Sequence, residues 1–323
     1  MNTSSVPTKA PCLQNEDFLS TIMAPAITVI FILAAGFNSF SLWILCFQVK
    51  KKTPIDILML NLCVGDLLFS FTSPFLIIYY SHNHWIFGSF MCKLQVFFTS
   101  GCVLASLFFL ACISSYRCYM ITKPIQFQHR ITKKRTIAIS IIIWLLACGF
   151  SSPSFYMINN FEMNGKLYCL SFNEPHVSRI LLPSGIILFV VGCAIPFGFL
   201  LVSTILMQRE LANSALTSQS QQRNQHAVKM MVFVLFVFII CFFPLAVGHF
   251  LIATVDRNNC LLFQRAGMVY YSSLLCTHIN GVLDPIVYYF ASTKYRSMVI
   301  KVMKSWKCFK KPVAASRDLN VNE

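Results

Sequence analysis

The sequence predicts an all-α membrane protein: a seven-transmembrane helix bundle followed by a short amphipathic helix on the membrane surface. Three observations predict it. Of 323 residues, 56% are hydrophobic and only 11% charged, against about 25% charged in soluble domains. Apolar runs long enough to cross roughly 30 Å of hydrocarbon as helices recur seven times. Lys and Arg crowd into the short connections and the C-terminal tail, as the positive-inside rule gives cytoplasmic segments.

In chain order the spans cover approximately residues 22–49, 55–80, 90–121, 136–157, 180–208, 227–254 and 266–291. They are helices because lipid offers backbone polar groups no partner. Residues 1–20 are polar, without a basic stretch leading into an apolar core, so no cleavable leader is expected. Asn2-Thr3-Ser4 is a glycosylation sequon, with Asn2 as acceptor if the N-terminus is extracellular. With that end outside, only Lys9, Lys93, Lys166, Arg179, Arg257 and Arg265 of the 26 Lys and Arg are external. Lys50, Lys51 and Lys52, and Lys133, Lys134 and Arg135, then fall on the cytoplasmic side. The N-terminus is thus expected outside and the C-terminus inside, in a plasma-membrane protein.

Expected regions are an extracellular 1–21, a bundle over 22–291 and a cytoplasmic helix and tail over 292–323. The third internal loop, about Gln208 to Gln225, is rich in Ser and Gln and reads as a solvated linker. Beyond the last span, Lys294, Arg296, Lys301 and Lys304 alternate with Met298, Val299, Val302 and Met303. That pattern suits a helix lying on lipid, and Cys308 after it is a palmitoylation candidate. The net charge of +15 therefore reports orientation. Nucleic acid is not expected as a partner, since no basic patch is interleaved with base-stacking aromatics.

Cys12, Cys92, Cys169 and Cys260 fall outside, in an oxidising compartment. Four cysteines allow three pairings, and spacing does not choose among them. Among the 14 cysteines, those within spans, including Cys63, Cys102, Cys148, Cys193, Cys241 and Cys276, read as small buried hydrophobes. No CxxC pair suggests zinc.

Asp66 sits in the second span and Asp284 in the seventh, with Asn38, Asn61, Ser106 and Asn280 also inside spans. Intramembrane carboxylates are rare and mark functional sites. Their oxygens suit a hard cation; a hydrated network tying the helices together accounts for them equally. Prolines 74, 153, 196, 244 and 285 each remove a helical hydrogen bond and permit a kink, which favours a bundle that rearranges. Arg117 closes the third span at its cytoplasmic end, in the stretch ACISSYRCYMITKP.

Nearly the whole chain resembles the rhodopsin-like (class A) G-protein-coupled receptors. Gly36-Phe37-Asn38, the LNLCVGD stretch ending at Asp66, Trp85-Ile86-Phe87-Gly88 ahead of Cys92, Trp144, Pro196, the CFFP of Cys241 to Pro244, and Asn280 through Asp284-Pro285-Ile286-Val287-Tyr288 carry it. DPIVYY and the run from Phe238 to Pro244 resemble the purinergic and lysophospholipid branch. The resemblance implies disulfides Cys92–Cys169 and Cys12–Cys260. It also implies an allosteric sodium ion on Asp66, Ser106, Asn280 and Asp284, with no other cofactor. A switch of Phe238, Phe242, Pro244, Pro285 and Tyr288 would act on a heterotrimeric G protein through Arg117, which lies 25 residues after Cys92.

Two departures stand out. Tyr116 replaces the family's aspartate before Arg117, and a tyrosine ionises only near pH 10. The implied ion pair is lost, and with it part of the lock on the inactive state. Thr204 stands where the fifth span should carry a tyrosine for Tyr288, so a poorly coupling or decoy receptor is the variant reading. Ligand candidates are Thr99, Ser100 and Val103 of the third span, His249 of the sixth, Tyr270 and Tyr271 of the seventh, and Arg179, Lys93 and Arg265 at the rim. A mostly apolar cavity with cations at its mouth suits an anionic lipid, such as a lysophospholipid or fatty acid. A nucleotide or other small anion is the alternative. A transporter would show repeated halves, which are absent. No HExxH or GxSxG is present, and no enzymatic activity is expected.

Overall fold

The computed structural model describes residues 15–158, 160–163, 165–169, 186, 188–213, 218–256 and 259–309. Helix α1 runs Glu16–Gln48. It starts ahead of the expected limit because Asn15 caps it, its Oδ1 accepting from the Phe18 N–H at 3.1 Å. Helix α2, Pro54–His82, opens on a capping box between Thr53 and Asp56 with Pro54 in the first turn, and ends at Asn83 in the left-handed region. All three are sequence-encoded stop and start signals. Helix α3, Gly88–Thr122, stops just before Lys123 and Pro124, where the proline disfavours helical backbone in the residue preceding it. A short helix α4, Pro124–Arg130, follows on the connection.

Thr132 caps α5, Lys133–Ser151. Pro153 was expected to bend this span. Instead it ends it, standing between α5 and the short α6, Ser154–Met157. Strands β1 (Asn160–Met163) and β2 (Lys166–Cys169) then form an antiparallel hairpin that sets Asn160 opposite Cys169. The fifth span enters as a π-helical stretch, Leu188–Ala194, and continues as α7, Ile195–Asn213. Pro196 cannot donate to the preceding turn, and the wider winding before it accommodates that. Helices α8 (Ser218–Thr254), α9 (Cys260–Ala291) and α10 (Thr293–Phe309) complete the chain. Much of the expected linker at 208–225 is helical, because it holds Gln, Glu, Leu and Ala without Gly or Pro.

Six helices among the described residues are long and apolar enough to cross a membrane. The seventh span, α9, is 32 residues long but carries buried Thr277, His278, Asn280 and Asp284, which lower its apolar character. The helices form a closed ring: α1 packs on α2, α2 on α3, α3 on α7, α7 on α8, α8 on α9 and α9 on α1, with α5 against α3. One core cluster holds Leu58, Leu62, Leu110 and Tyr288; a second, towards the hairpin, holds Met23, Tyr80, Trp85 and Phe263. Large apolar side chains such as Ile32, Phe71, Leu145 and Phe236 are exposed on the outer faces, as lipid rather than water allows. Cys148, expected buried, is on that exposed side, while Cys193 and Cys276 are half-buried.

Candidate functional site

The site is built around two carboxylates. Asp66 is held from two sides: Ser106 Oγ donates to its Oδ1 at 3.3 Å, and the Tyr288 hydroxyl donates to its Oδ2 at 3.1 Å. Asp284 Oδ2 accepts from Asn280 Nδ2 at 2.9 Å, and the Asp66 and Asp284 carboxyls lie close enough to interact directly. Both acids are buried. Asn38 ties α1 to α9 above them, its Nδ2 donating to the Gly281 carbonyl at 2.7 Å. Asn61 of α2 accepts from Trp144 Nε1 of α5 at 3.1 Å.

Three oxygens in this region are buried with no hydrogen-bond partner: Asp284 Oδ1, Asn280 Oδ1 and Asn38 Oδ1. Buried acceptors without donors are costly, and two facing carboxylates repel. A set made only of oxygens, carrying excess negative charge, fits a hard cation. The sequence brought Asp66, Ser106, Asn280 and Asp284 into one set, and the structure places them together. Tyr288 joins them, a contact the sequence did not signal.

Next to Ser106 on α3, Val103 and Leu107 line a small cleft. Its other walls are Phe189, Gly192 and Cys193 from the π-helical entry to α7, and Phe242, Leu245, Ala246 and His249 of α8. Val103 and His249 were among the sequence candidates; the fifth-span wall was not. Thr99 and Ser100 sit one turn above Val103. Ser100 Oγ bonds its own helix at the Val96 carbonyl, 2.7 Å away, and Thr99 accepts from Gln95 at 3.4 Å. Tyr270 and Tyr271 are buried in an aromatic cluster, with the Tyr270 ring edge-on to His249 at 5.0 Å and Tyr271 packed on Tyr80 at 5.8 Å. Lys93 is half-buried and Arg265 exposed; Arg179 lies outside the described residues.

Phe242 is also the head of a ring relay. It lies 5.4 Å from Phe238, which lies 5.7 Å from Phe197 of α7. At the proline bend, the Cys241 carbonyl accepts from Thr277 Oγ1 of α9 at 3.2 Å. Pro244 and Pro285 both lie inside their helices. At the Arg117 end of the bundle, Tyr116 is buried; its hydroxyl pairs with Thr136 Oγ1 at 3.4 Å and its ring meets Phe127 of α4 edge-on. Thr204 is buried and its hydroxyl donates to its own helix at the Leu200 carbonyl.

At the opposite end, Cys92 and Cys169 form a disulfide. Cys260 is disulfide-bonded as well, while Cys12 and Asn2 lie outside the described residues, as does the side chain of Cys308. Trp85 is fully buried, its Nε1 donating to the Gly88 carbonyl at 2.8 Å and its backbone N–H to the Leu167 carbonyl. Glu16 clasps the hairpin, pairing with Lys166 at 2.8 Å and accepting from the Tyr168 hydroxyl at 2.9 Å. Burial and that bond to Glu16 push the Tyr168 phenol up to about 12.

The family described as 7 transmembrane receptor (rhodopsin family) matches residues 37–288. The chain belongs to the rhodopsin family of seven-transmembrane receptors. The receptor is 31% identical to human proteinase-activated receptor 2 over 86% of its own length and 70% of that protein. It is 31% identical to human lysophosphatidic acid receptor 4, over 88% and 78% of the two chains. Human hydroxycarboxylic acid receptor 3 is 26% identical over 96% and 79%. These relatives are receptors and not enzymes. The receptor is thus a multi-pass membrane protein whose class works through an extracellular ligand and a G protein.

Proposed function

We propose that this receptor responds to an extracellular amphiphilic anion with an apolar chain, a lysophospholipid or a fatty acid, and passes the signal to a heterotrimeric G protein. The cleft carries this reading. Among its lining residues His249 alone has a strongly polar side chain, so it favours hydrocarbon over a phosphate-rich nucleotide, which draws several Arg or Lys. Lys93 and Arg265 suit an acidic headgroup nearer the rim. Lysophosphatidic acid and hydroxycarboxylic acids, named by two of the relatives, share an acid group. In this reading the N-terminus is extracellular, Cys12 pairs with Cys260, Asn2 is glycosylated and Cys308 palmitoylated.

Motion of α8 about Pro244 would carry the ligand's effect past Phe242 and Phe238 to the rim around Arg117. A sodium ion on Asp66, Asp284, Asn280 and Ser106 would supply the positive charge that two buried carboxylates need. Its release would free Tyr288 and Asp66 to rearrange. With Tyr116 engaged by Thr136, no carboxylate precedes Arg117, so the inactive state is held less firmly than in relatives with an aspartate there.

The test is a G-protein dissociation assay on cells bearing the receptor, with lysophospholipids, fatty acids and nucleotides applied separately. A response to at least one of the lipid anions, lost in His249→Ala or Val103→Trp, is expected. A response to nucleotides with none to the lipids overturns the ligand assignment.

A further inference from the structure

We propose that the corner where α1, the α1–α2 connection and the start of α10 meet binds the polyphosphorylated headgroup of a membrane phospholipid. Lys50, Lys51 and Lys294 are all exposed there. Lys294 Nζ donates to the Lys51 carbonyl at 2.9 Å, which fixes α10's first cation against a run of three lysines. Like charges held together repel, and an anion of high charge density relieves this.

Among the described residues, the carboxylate built into the corner is Asp56, and it is buried and fully engaged. Its Oδ1 accepts from Ser292 Oγ at 2.8 Å, and its Oδ2 from the Thr53 N–H and hydroxyl at 2.8 and 2.7 Å. Ser292 Oγ in turn accepts from the Tyr295 N–H at 3.2 Å, and the Tyr295 hydroxyl pairs with Ser41 of α1 at 2.8 Å. These buried bonds fasten α10 to α1 and α2, so the cations stand on a rigid frame.

Apolar surface adjoins the cations on α1. Phe47 is 74% exposed and Trp43 40% exposed, with Trp43 stacked on Phe40 at 6.1 Å. Residues four apart share a helix face, so Trp43 and Phe47 lead along α1 towards Lys50 and Lys51. Acyl chains on the rings and phosphates on the lysines make a lipid the occupant rather than a soluble phosphate. Basic clusters at the cytoplasmic end of a span recognise such headgroups. The placement in the inner leaflet rests on the orientation proposed above, whereas binding itself does not.

The test titrates the purified full chain in detergent with phosphatidylinositol 4,5-bisphosphate, phosphatidylserine or soluble inositol 1,4,5-trisphosphate, reading bound adducts by native mass spectrometry. The bisphosphorylated lipid is expected to bind at least tenfold more tightly than phosphatidylserine. Each of Lys50→Gln, Lys51→Gln and Lys294→Gln should weaken it roughly fivefold, while Lys133→Gln with Lys134→Gln leaves it unchanged. Equal binding of phosphatidylserine at matched charge, or an unaltered triple variant with wild-type thermal stability, overturns the site. Trisphosphate binding as tight as the lipid overturns the part given to Trp43 and Phe47. None of these outcomes depends on signalling, so a failure here leaves the receptor reading untouched.

Discussion

Helix α8 approaches α9 most closely at Gly248. A Cβ placed there would fall 2.9 Å from the Tyr270 Cα, 3.4 Å from its backbone nitrogen and 2.8 Å from Ser273 Oγ. A serine hydroxyl can rotate away, but the Tyr270 backbone is part of a packed helix and cannot. Gly248→Ala must therefore push the two helices apart at the residue next to His249, and overpacking of this kind costs about 1–3 kcal/mol. The same substitution at Gly36 or Gly198 meets nothing within 4 Å and gains up to about 1 kcal/mol of helix propensity. Thermal unfolding of purified receptor, followed with a thiol-reactive dye on buried Cys63 and Cys102, separates the two cases. Gly248→Ala should melt several degrees below wild type, with Gly36→Ala and Gly198→Ala at or above it. A Gly248→Ala protein as stable as wild type would refute the close approach.

Tyr116→Asp should place a carboxylate beside Arg117 and lower ligand-free second-messenger output by up to about fivefold, the size of a half-exposed ion pair; negligible and equal output from both proteins would contradict this. Sodium should raise the melting temperature of ligand-free wild type relative to choline, with no such rise in Asp66→Asn, and a salt response shared by both would count against the cation site. Trp144→Phe removes the bond to Asn61 and should cost about 1 kcal/mol, read from the same melting curves; an unchanged melting point would make that bond dispensable. Cys169→Ser opens a loop whose ends are 77 residues apart, and a loss of about 4 kcal/mol should show as sharply reduced surface expression in an epitope assay.

Much of this was readable before any coordinates. Hydrocarbon length and the scarcity of charge made the spans legible, and Asp66 and Asp284 stood out because carboxylates rarely enter lipid. Thr53 with Asp56 and the Lys123-Pro124 step encode helix ends through local chemistry alone. What stayed hidden depends on which way a helix faces. Phe189 and Gly192 carry no sequence signal that they face the cleft, and Cys148 looks buried until α5 is placed at the rim. Tyr288 meets Asp66 across 222 residues of chain, a pairing no local pattern encodes. The Ser- and Gln-rich stretch near 218 was misleading in another way, since polarity alone does not separate a solvated loop from a solvated helix.

The polarity of α9 has a consequence for how the protein is made. A segment bearing Asp284 towards its C-terminal end, with Asn280 and His278 a turn or two away, gains little by entering lipid alone; one aspartate at mid-bilayer costs up to about 3 kcal/mol on insertion scales. Its Thr277 bonds α8, its Tyr288 bonds α2 and its Gly281 carbonyl accepts from Asn38 of α1, all on helices synthesised earlier. During biogenesis the last span should thus leave the translocon as one member of a hairpin with its predecessor. A chain from which α8 is deleted while α9 is kept would then strand α9 in the lumen or the cytosol.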